Sequence, residues 1–295
     1  MESQAQKTPS STTDISAGDT AQISFVSHNP SAPITILFIR GAFGSHADWD
    51  KVVSHMPPTY HLLIPSLHVD SKGQPRTFDL CIITTLLSLL VSTHAKSGKA
   101  HVVGLSLGAH VSAGFAASYP GLTLSLFTSG FAPLINRRAW YYPLVPYILM
   151  TDVVLLKLTP RWLVAKMMDG YAPEPDSQTS HEGKRDIQAS RDVADAVCTS
   201  METQGPVTTR VLVVVAGKGG LLPTSDSVES AKWFVERMKG VEGQGVGDPA
   251  GATTMTLVKA PNMRHGWSVI CPEAFARSVC LWVDQGELDE GFELM

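Results

Sequence analysis

The chain has 295 residues, a length that suits one α/β domain with an insertion or two small domains. Hydrophobic residues make up 44% and charged residues 17%, which is enough apolar material for a large core. The net charge of −4 indicates neither a nucleic acid nor an anionic membrane as a partner. No apolar run reaches the length of a membrane span, so an integral membrane protein is not expected.

Both ends of the chain are predicted to lie outside the folded unit. Residues 1–21 are rich in Ser, Thr and Gln and have neither an apolar run nor a basic start, which predicts a disordered tail rather than a signal peptide. The acidic residues 286–295 are predicted to form a frayed tail. The four cysteines lack CxxC or metal-like spacing, and we expect reduced thiols in a cytoplasmic protein.

The chain alternates between short apolar runs, typical of buried parallel strands, and helical segments. Strands are predicted at residues 22–27, 34–39, 60–67, 100–103, 122–128, 210–216 and 253–259. Helices are predicted at residues 78–94, after residue 106, and at residues 226–238 and 272–283. This order predicts an α/β fold with a mostly parallel central sheet and helices on both faces.

The most informative motif lies at residues 104–108, which read Gly-Leu-Ser-Leu-Gly between a predicted strand and a small-residue helix. A G-x-S-x-G sequence in this context is a nucleophile elbow, a sharp turn that exposes the serine at the carboxyl end of the sheet. The glycines allow neighbouring backbone to approach without a clashing Cβ atom. The motif therefore predicts Ser106 as a nucleophile, with the Leu107 N–H directed at a developing oxyanion.

Over residues 22–285 the chain resembles α/β-hydrolase-fold proteins, most of all small fungal hydrolases of secondary-metabolite biosynthesis. The resemblance implies a core of residues 22–132 and 207–285 and a helical cap at residues 133–206. It also implies that His265, after the last strand, is the catalytic base, and that the Ala42 amide completes the oxyanion hole. Arg40 stands where this family usually has histidine, and it either faces the site or turns away to cap a helix.

The acid of the expected triad is the difficulty. The family usually places it in the loop after residues 210–216, where this chain has Gly220, and the other family location holds Ser129 and Gly130. Asp226 is the nearest carboxylate downstream, and it is either the acid or the N-cap of the next helix, because Glu229 follows at capping-box spacing. The sequence thus predicts an incomplete triad in which Ser106 is only weakly activated.

Residues 131–206 interrupt the alternation with a segment dense in aromatic, Leu, Met and Pro residues. We expect this segment to cover Ser106 and to form a pocket for a bulky hydrophobic, polyketide- or terpenoid-like molecule. Alternatively, it packs the cap onto the core or buries a homodimer contact. His110, one turn after the serine, is expected in helix packing. The expected substrate-binding residues are Phe43, His46, Trp140, Tyr141, Tyr142 and Trp267.

Two classes of function remain open from the sequence. The first is a serine hydrolase that cleaves an ester, lactone or thioester. The second is a hydrolase-fold protein that acts as a non-hydrolytic cyclase or isomerase, or that binds a ligand without turnover. The pair Ser106 and His265 favours the first, and the vacant acid position favours the second. No residue pattern indicates a metal or an organic cofactor.

Overall fold

The computed structural model describes residues 23–42, 46–70, 78–133, 135–167, 169, 187–219, 225–240 and 254–295, with the backbone alone at 68–70, 152–157 and 167. The strands form an eight-stranded sheet in the order β1-β3-β2-β4-β5-β6-β7-β8. They are β1 (Ile23–His28), β2 (Ile34–Ile39), β3 (Tyr60–Asp70), β4 (Ala100–Leu105), β5 (Thr123–Ser129), β6 (Arg210–Ala216), β7 (Met255–Ala260) and β8 (Glu293–Leu294).

The six central strands, β2 to β7, run parallel, and β1 and β8 pair antiparallel at the two edges. The helices are α1 (Asp50–Val53), α2 (Leu80–His94), α3 (Leu107–Ser118), α4 (Val145–Leu158), α5 (Arg161–Met167), α6 (Ile187–Thr203), α7 (Val228–Lys239), α8 (Trp267–Ile270) and α9 (Pro272–Asp284). This is the α/β fold that the sequence predicts, with a mostly parallel sheet between helices.

The sheet is buried on both faces, which explains why its central strands are continuous apolar runs. Alternate residues of β2 enter different cores: Leu37 and Ile39 pack on the side of α2, α3 and α7, whereas Ile36 and Phe38 pack on the side of α9. The inserted helices α4, α5 and α6 lie between β5 and β6. Helix α4 packs on α6, and α6 packs on α3, directly after the elbow.

The prediction of a frayed C-terminal tail at residues 286–295 is wrong. Strand β8 pairs with β7 through Glu293 and Lys259. The Asp289 carboxylate accepts a hydrogen bond from Arg277 Nε at 2.9 Å, which lowers the pKa of Asp289 against the opposing effect of burial. Phe292 packs against the fully buried core on that face. Acidic composition alone therefore did not reveal these long-range partners.

Among the described helices, none combines the length and the apolar character needed to cross a bilayer.

Candidate active site

Ser106 occupies the turn between β4 and α3 in a backbone conformation that is rare for a residue with a side chain. Its φ is 58° and its ψ is −122°. Such a conformation is strained and persists only where the surroundings fix it. Here the Ser106 N–H donates to the Ser129 carbonyl at 2.8 Å, and the Ser106 carbonyl accepts from the Ala109 N–H at 2.8 Å. The turn is thus tied to the neighbouring strand β5 and to its own helix.

The two glycines of the motif have no room for a side chain. A Cβ atom at Gly104 would lie 2.2 Å from Ser112 Oγ, and one at Gly108 would lie 2.1 Å from the Ile39 carbonyl oxygen. Both distances are far below any normal carbon contact. The glycines therefore let α3 pack directly against the ends of β4 and β2, as the elbow motif requires.

Two further glycines bring other loops against Ser106. A Cβ atom at Gly41, after β2, would lie 3.1 Å from Ser106 Cβ. A Cβ atom at Gly130, after β5, would lie 2.8 Å from the Ser106 nitrogen and 3.2 Å from His265 Cε1. Gly130 also has a φ of +92°, which disfavours any side chain. Ser106 and His265 therefore flank one position, which glycine keeps open.

His265, in the loop after β7, is hydrogen-bonded to Asp226. The distance from His265 Nδ1 to Asp226 Oδ1 is 2.6 Å, and the second oxygen, Oδ2, accepts from the Ala216 N–H at 2.8 Å. The Asp226 side chain is fully buried, and the His265 side chain is 22% exposed. A carboxylate acceptor at Nδ1 places the proton on that nitrogen and leaves the Nε2 lone pair free to accept another.

Asp226 is not the N-cap of the following helix, because the adjacent residue, Ser227, has that role. Helix α7 begins at Val228, and Ser227 is its N-cap, with Ser227 Oγ accepting from the Ser230 N–H at 3.2 Å. The Asp226 carboxylate is therefore available to orient His265. The family's usual acid position, Gly220, lies outside the described residues.

Ser106 and His265 line a cavity of about 320 Å³. Ala42 and Leu107, the two predicted oxyanion positions, line the same cavity. Its walls are largely apolar and come from the loop after β5, from the inserted helices α4 and α6 and from α7: Phe131, Ile135, Leu149, Val193, Val197, Met201 and Phe234. The volume is in the range of small-molecule pockets, and the lining suits an apolar ligand.

The residues predicted to bind substrate lie elsewhere where the structure describes them. Trp140 is 85% exposed, and Tyr141 packs its ring against Trp140. Tyr142 turns to α6, where its hydroxyl donates to Asp195 at 2.5 Å. Trp267 is fully buried, and its indole N–H donates to Ser129 Oγ at 3.0 Å.

His46 is half-buried in a short 3₁₀ turn before α1, and Phe43 lies outside the described residues. The aromatic side chains of the cap carry polar groups that need a hydrogen-bond partner or water. The purely apolar stripe of α6 instead forms the wall. Its members Val193, Val197 and Met201 recur every four residues on one helix face.

The cavity is also lined by Arg40, for which the sequence left two orientations open, and by His110, which the sequence placed in helix packing. Arg40 is 2% exposed and lines the cavity, so it does not turn away to cap a surface helix. His110 is buried, with its ring edge-on to Phe131 and Phe234 and its Nδ1 3.3 Å from Ser200 Oγ. Burial lowers the pKa of His110 to about 4, so it is neutral at pH 7. Its spacing of four residues from Ser106 was the available signal.

Comparison with known proteins gives the same class as the fold. No protein-family model matches the chain. An AB hydrolase superfamily protein from the fungus Gibberella zeae is 28% identical over 277 residues, which cover 92% of this chain and 88% of that protein.

The solved structures that resemble the chain share its fold at low sequence identity. A hydrolase from Pseudomonas aeruginosa PA01 aligns with a TM-score of 0.62 at 15% identity, covering 92% of this chain and 97% of that one. Cfl2 from Burkholderia cenocepacia aligns with a TM-score of 0.60 at 16% identity, covering 88% of this chain and 91% of that one. The α/β hydrolase MGS-M2 from a deep-sea metagenome aligns with a TM-score of 0.58 at 17% identity, covering 91% of this chain and 96% of that one. The protein has an α/β-hydrolase fold.

Proposed function

We propose that this protein is a serine hydrolase that cleaves an ester, lactone or thioester of a bulky hydrophobic molecule, polyketide- or terpenoid-like, in secondary metabolism. The observation that carries the proposal is the 2.6 Å hydrogen bond between His265 Nδ1 and the fully buried Asp226 carboxylate. In a triad the acid fixes the histidine tautomer and stabilises the imidazolium that forms. Asp226 has the position and the burial for that role.

In the first half of the reaction, Ser106 Oγ attacks the substrate carbonyl carbon while His265 Nε2 takes the hydroxyl proton. The carbonyl oxygen becomes an oxyanion and accepts hydrogen bonds from the Ala42 and Leu107 amides. The C–O or C–S bond to the leaving group then breaks. His265 returns its proton to the leaving alcohol or thiol, and the acyl group stays on Ser106.

In the second half, water replaces the leaving group. His265 Nε2 takes one proton from the water as its oxygen attacks the acyl carbon, and the oxyanion forms again beside the same two amides. The bond to Ser106 Oγ breaks, and Oγ recovers its proton from His265. The products are the acid and the free hydroxyl or thiol, and the protein returns to its starting state.

The substrate class is supported by the walls of the cavity. Its apolar stripe on α6 favours a hydrophobic acyl or ring system over a charged one. His110 adds a neutral imidazole within this apolar wall, and a neutral imidazole hydrogen-bonds a hydroxyl or carbonyl oxygen without the desolvation cost of an ion. A mostly apolar molecule with one neutral oxygen beyond the reacting carbonyl fits these features.

The non-hydrolytic alternative rested on the missing carboxylate. The contact between Asp226 and His265 supplies a carboxylate for the histidine, and a histidine so oriented supports the proton transfers of hydrolysis. Hydrolysis is therefore preferred over cyclisation, isomerisation or ligand binding without turnover.

A fluorophosphonate probe tests the proposal directly, because it labels only an activated serine. We expect covalent labelling at Ser106, seen as one mass adduct, and no adduct on Ser106→Ala. The same pair of proteins should differ in turnover of a hydrophobic aryl ester by several orders of magnitude. A folded wild-type protein that gains no adduct and hydrolyses no ester would instead support the non-hydrolytic alternative.

A further inference from the structure

The inserted segment carries several large apolar side chains that face solvent. The exposed fractions are 85% for Trp140, 49% for Leu144, 51% for Tyr147, 40% for Ile148, 80% for Leu158 and 69% for Trp162. We call these six residues the apolar cap face. Singly exposed apolar residues are normal, but six large ones within residues 140–162 make this segment a candidate interaction surface.

Helical spacing places part of this set on one side of α4. Tyr147 and Ile148 of α4 lie three and four residues after Leu144, which ends the short 3₁₀ turn before α4, and residues at those spacings from Leu144 share its face. The other side of α4 holds Val145, which is buried, and Leu149, which lines the cavity. Helix α4 therefore has an apolar side toward the cavity and a second apolar side toward solvent.

The charge of this segment is opposite to that of the whole chain. Residues 136–167 contain five Arg and Lys residues and one acidic residue, Asp152, whereas the chain carries a net charge of −4. Arg137 is paired with Glu202 of α6 at 2.9 Å, while Arg138 and Lys166 are among the exposed cations. Tryptophan and tyrosine beside Arg and Lys are typical of segments that lie in a membrane interface.

This charge decides between two occupants of the apolar cap face. A second copy docked through the same face would bring two cationic segments together, and like charges repel. An anionic lipid surface would attract the same segment while the tryptophans enter the headgroup region. We propose that the apolar cap face docks the protein on an anionic phospholipid surface, lying in the interface without crossing it. This inference rests on the proposed hydrolase function only in its purpose, since docking holds the protein at a surface in which hydrophobic substrate dissolves.

Vesicle co-sedimentation of the full chain tests the docking without any use of turnover. Two vesicle types are compared, phosphatidylcholine alone and phosphatidylcholine with added phosphatidylserine. We expect binding to the anionic vesicles only, and weaker binding as salt is raised, because salt screens the attraction of exposed cations.

The matched variants separate the apolar cap face from general surface hydrophobicity. The double variant Trp140→Ser with Trp162→Ser should weaken vesicle binding by about tenfold or more, since two large apolar groups no longer enter the interface. The control variant Ile82→Ser with Leu89→Ser removes side chains of α2 that are 52% and 56% exposed, and it should bind like the wild type. Both variants should keep the wild-type turnover of a water-soluble ester, which shows that they are folded.

Three results would overturn the docking proposal while leaving the hydrolase proposal intact. The first is no sedimentation with anionic vesicles. The second is equal binding to both vesicle types, which would remove the role of charge. The third is a dimer in light scattering that the tryptophan double variant dissolves, because the occupant would then be a second copy.

Discussion

The elbow and the cap of this protein are specified in different ways. Around Ser106 the backbone decides which residue fits, since a Cβ atom at Gly104 or Gly108 would overlap a neighbour at close to 2 Å. On α4, by contrast, apolar side chains occupy both the side toward the cavity and the side toward solvent. A site whose glycines are required by close backbone contacts can be predicted from a short sequence motif. The packing of the cap cannot be predicted in this way, because the direction of each side chain depends on partners that are distant in the sequence.

The largest effect is expected in the catalytic region around Ser106, when the carboxylate that orients His265 is removed. Asp226→Asn should lower turnover by about 10⁴, the loss seen when a triad acid is replaced and the histidine takes the wrong tautomer. The measurement is kcat for a hydrophobic ester under saturating conditions.

The adjacent residue gives the control for this change. Ser227→Ala removes the N-cap of α7 and should cost about 1 kcal/mol of unfolding free energy, with turnover near that of the wild type. If both variants lost activity equally, the role of Asp226 would be structural.

Gly130 tests how closely the loops around Ser106 are packed. Gly130→Ala places a Cβ atom 2.8 Å from the Ser106 nitrogen at a φ of +92°. Because a displacement of about 1 Å at a catalytic group can cost about 10²-fold, we expect kcat/KM to fall by about that factor. Gly121→Ala is the matched control, since nothing lies within 4 Å of its added Cβ, and it should retain full activity.

Substitutions in the cap should change the preference of the protein between bulky esters and acetyl esters. Val197→Phe fills part of the cavity and should lower kcat/KM for bulky esters by about tenfold relative to acetyl esters. Trp140→Ala, at a position 85% exposed, should leave kcat/KM unchanged for both bulky and acetyl esters that are soluble. The opposite pattern would mean that the aromatic residues of the cap, rather than α6, contact the substrate.

The smallest expected effect separates the two regions by their response to acid. Burial lowers the pKa of His101 and of His110 from 6.5 to about 4. Between these values the unfolded chain binds more protons than the folded one, so the unfolding free energy falls as pH drops through this window. The loss is about 1 kcal/mol per pH unit for each histidine.

Urea unfolding at several pH values across this window measures that slope. His101 lies in β4 and His110 in α3, so this acid sensitivity belongs to the core rather than to the inserted helices. The variant His101→Gln should flatten the slope, because it removes one of the two histidines whose pKa burial lowers. An unaltered slope in His101→Gln would contradict the assignment.

Much of the fold was predictable because strands buried on both faces are continuous apolar runs. The bounds of β2 and β6 match the prediction residue for residue, at residues 34–39 and 210–216. The motif around Ser106 was equally predictable, because its strand, turn and helix are adjacent in the chain, although Gly108 itself is required by the distant Ile39 carbonyl. These features depend on local chemistry that the sequence displays.

The position of Asp226 was ambiguous for a physical reason. Its spacing to Glu229 imitates a capping box, and only the structure shows that Ser227 caps the helix instead. The carboxylate is anchored by the Ala216 N–H, ten positions earlier. The wall of the cavity was missed because the polar residues of α6 obscure its stripe of Val193, Val197 and Met201.

Five of the six tryptophans fall into two groups with opposite surroundings. Trp49, Trp267 and Trp282 are at most 2% exposed, whereas Trp140 and Trp162 are 85% and 69% exposed. Buried indoles emit at shorter wavelength and are shielded from a dissolved quencher such as acrylamide, while the cap indoles remain open to it. Fluorescence of the unlabelled protein can therefore report on the surroundings of the cap and on the integrity of the core as two separate signals from one sample.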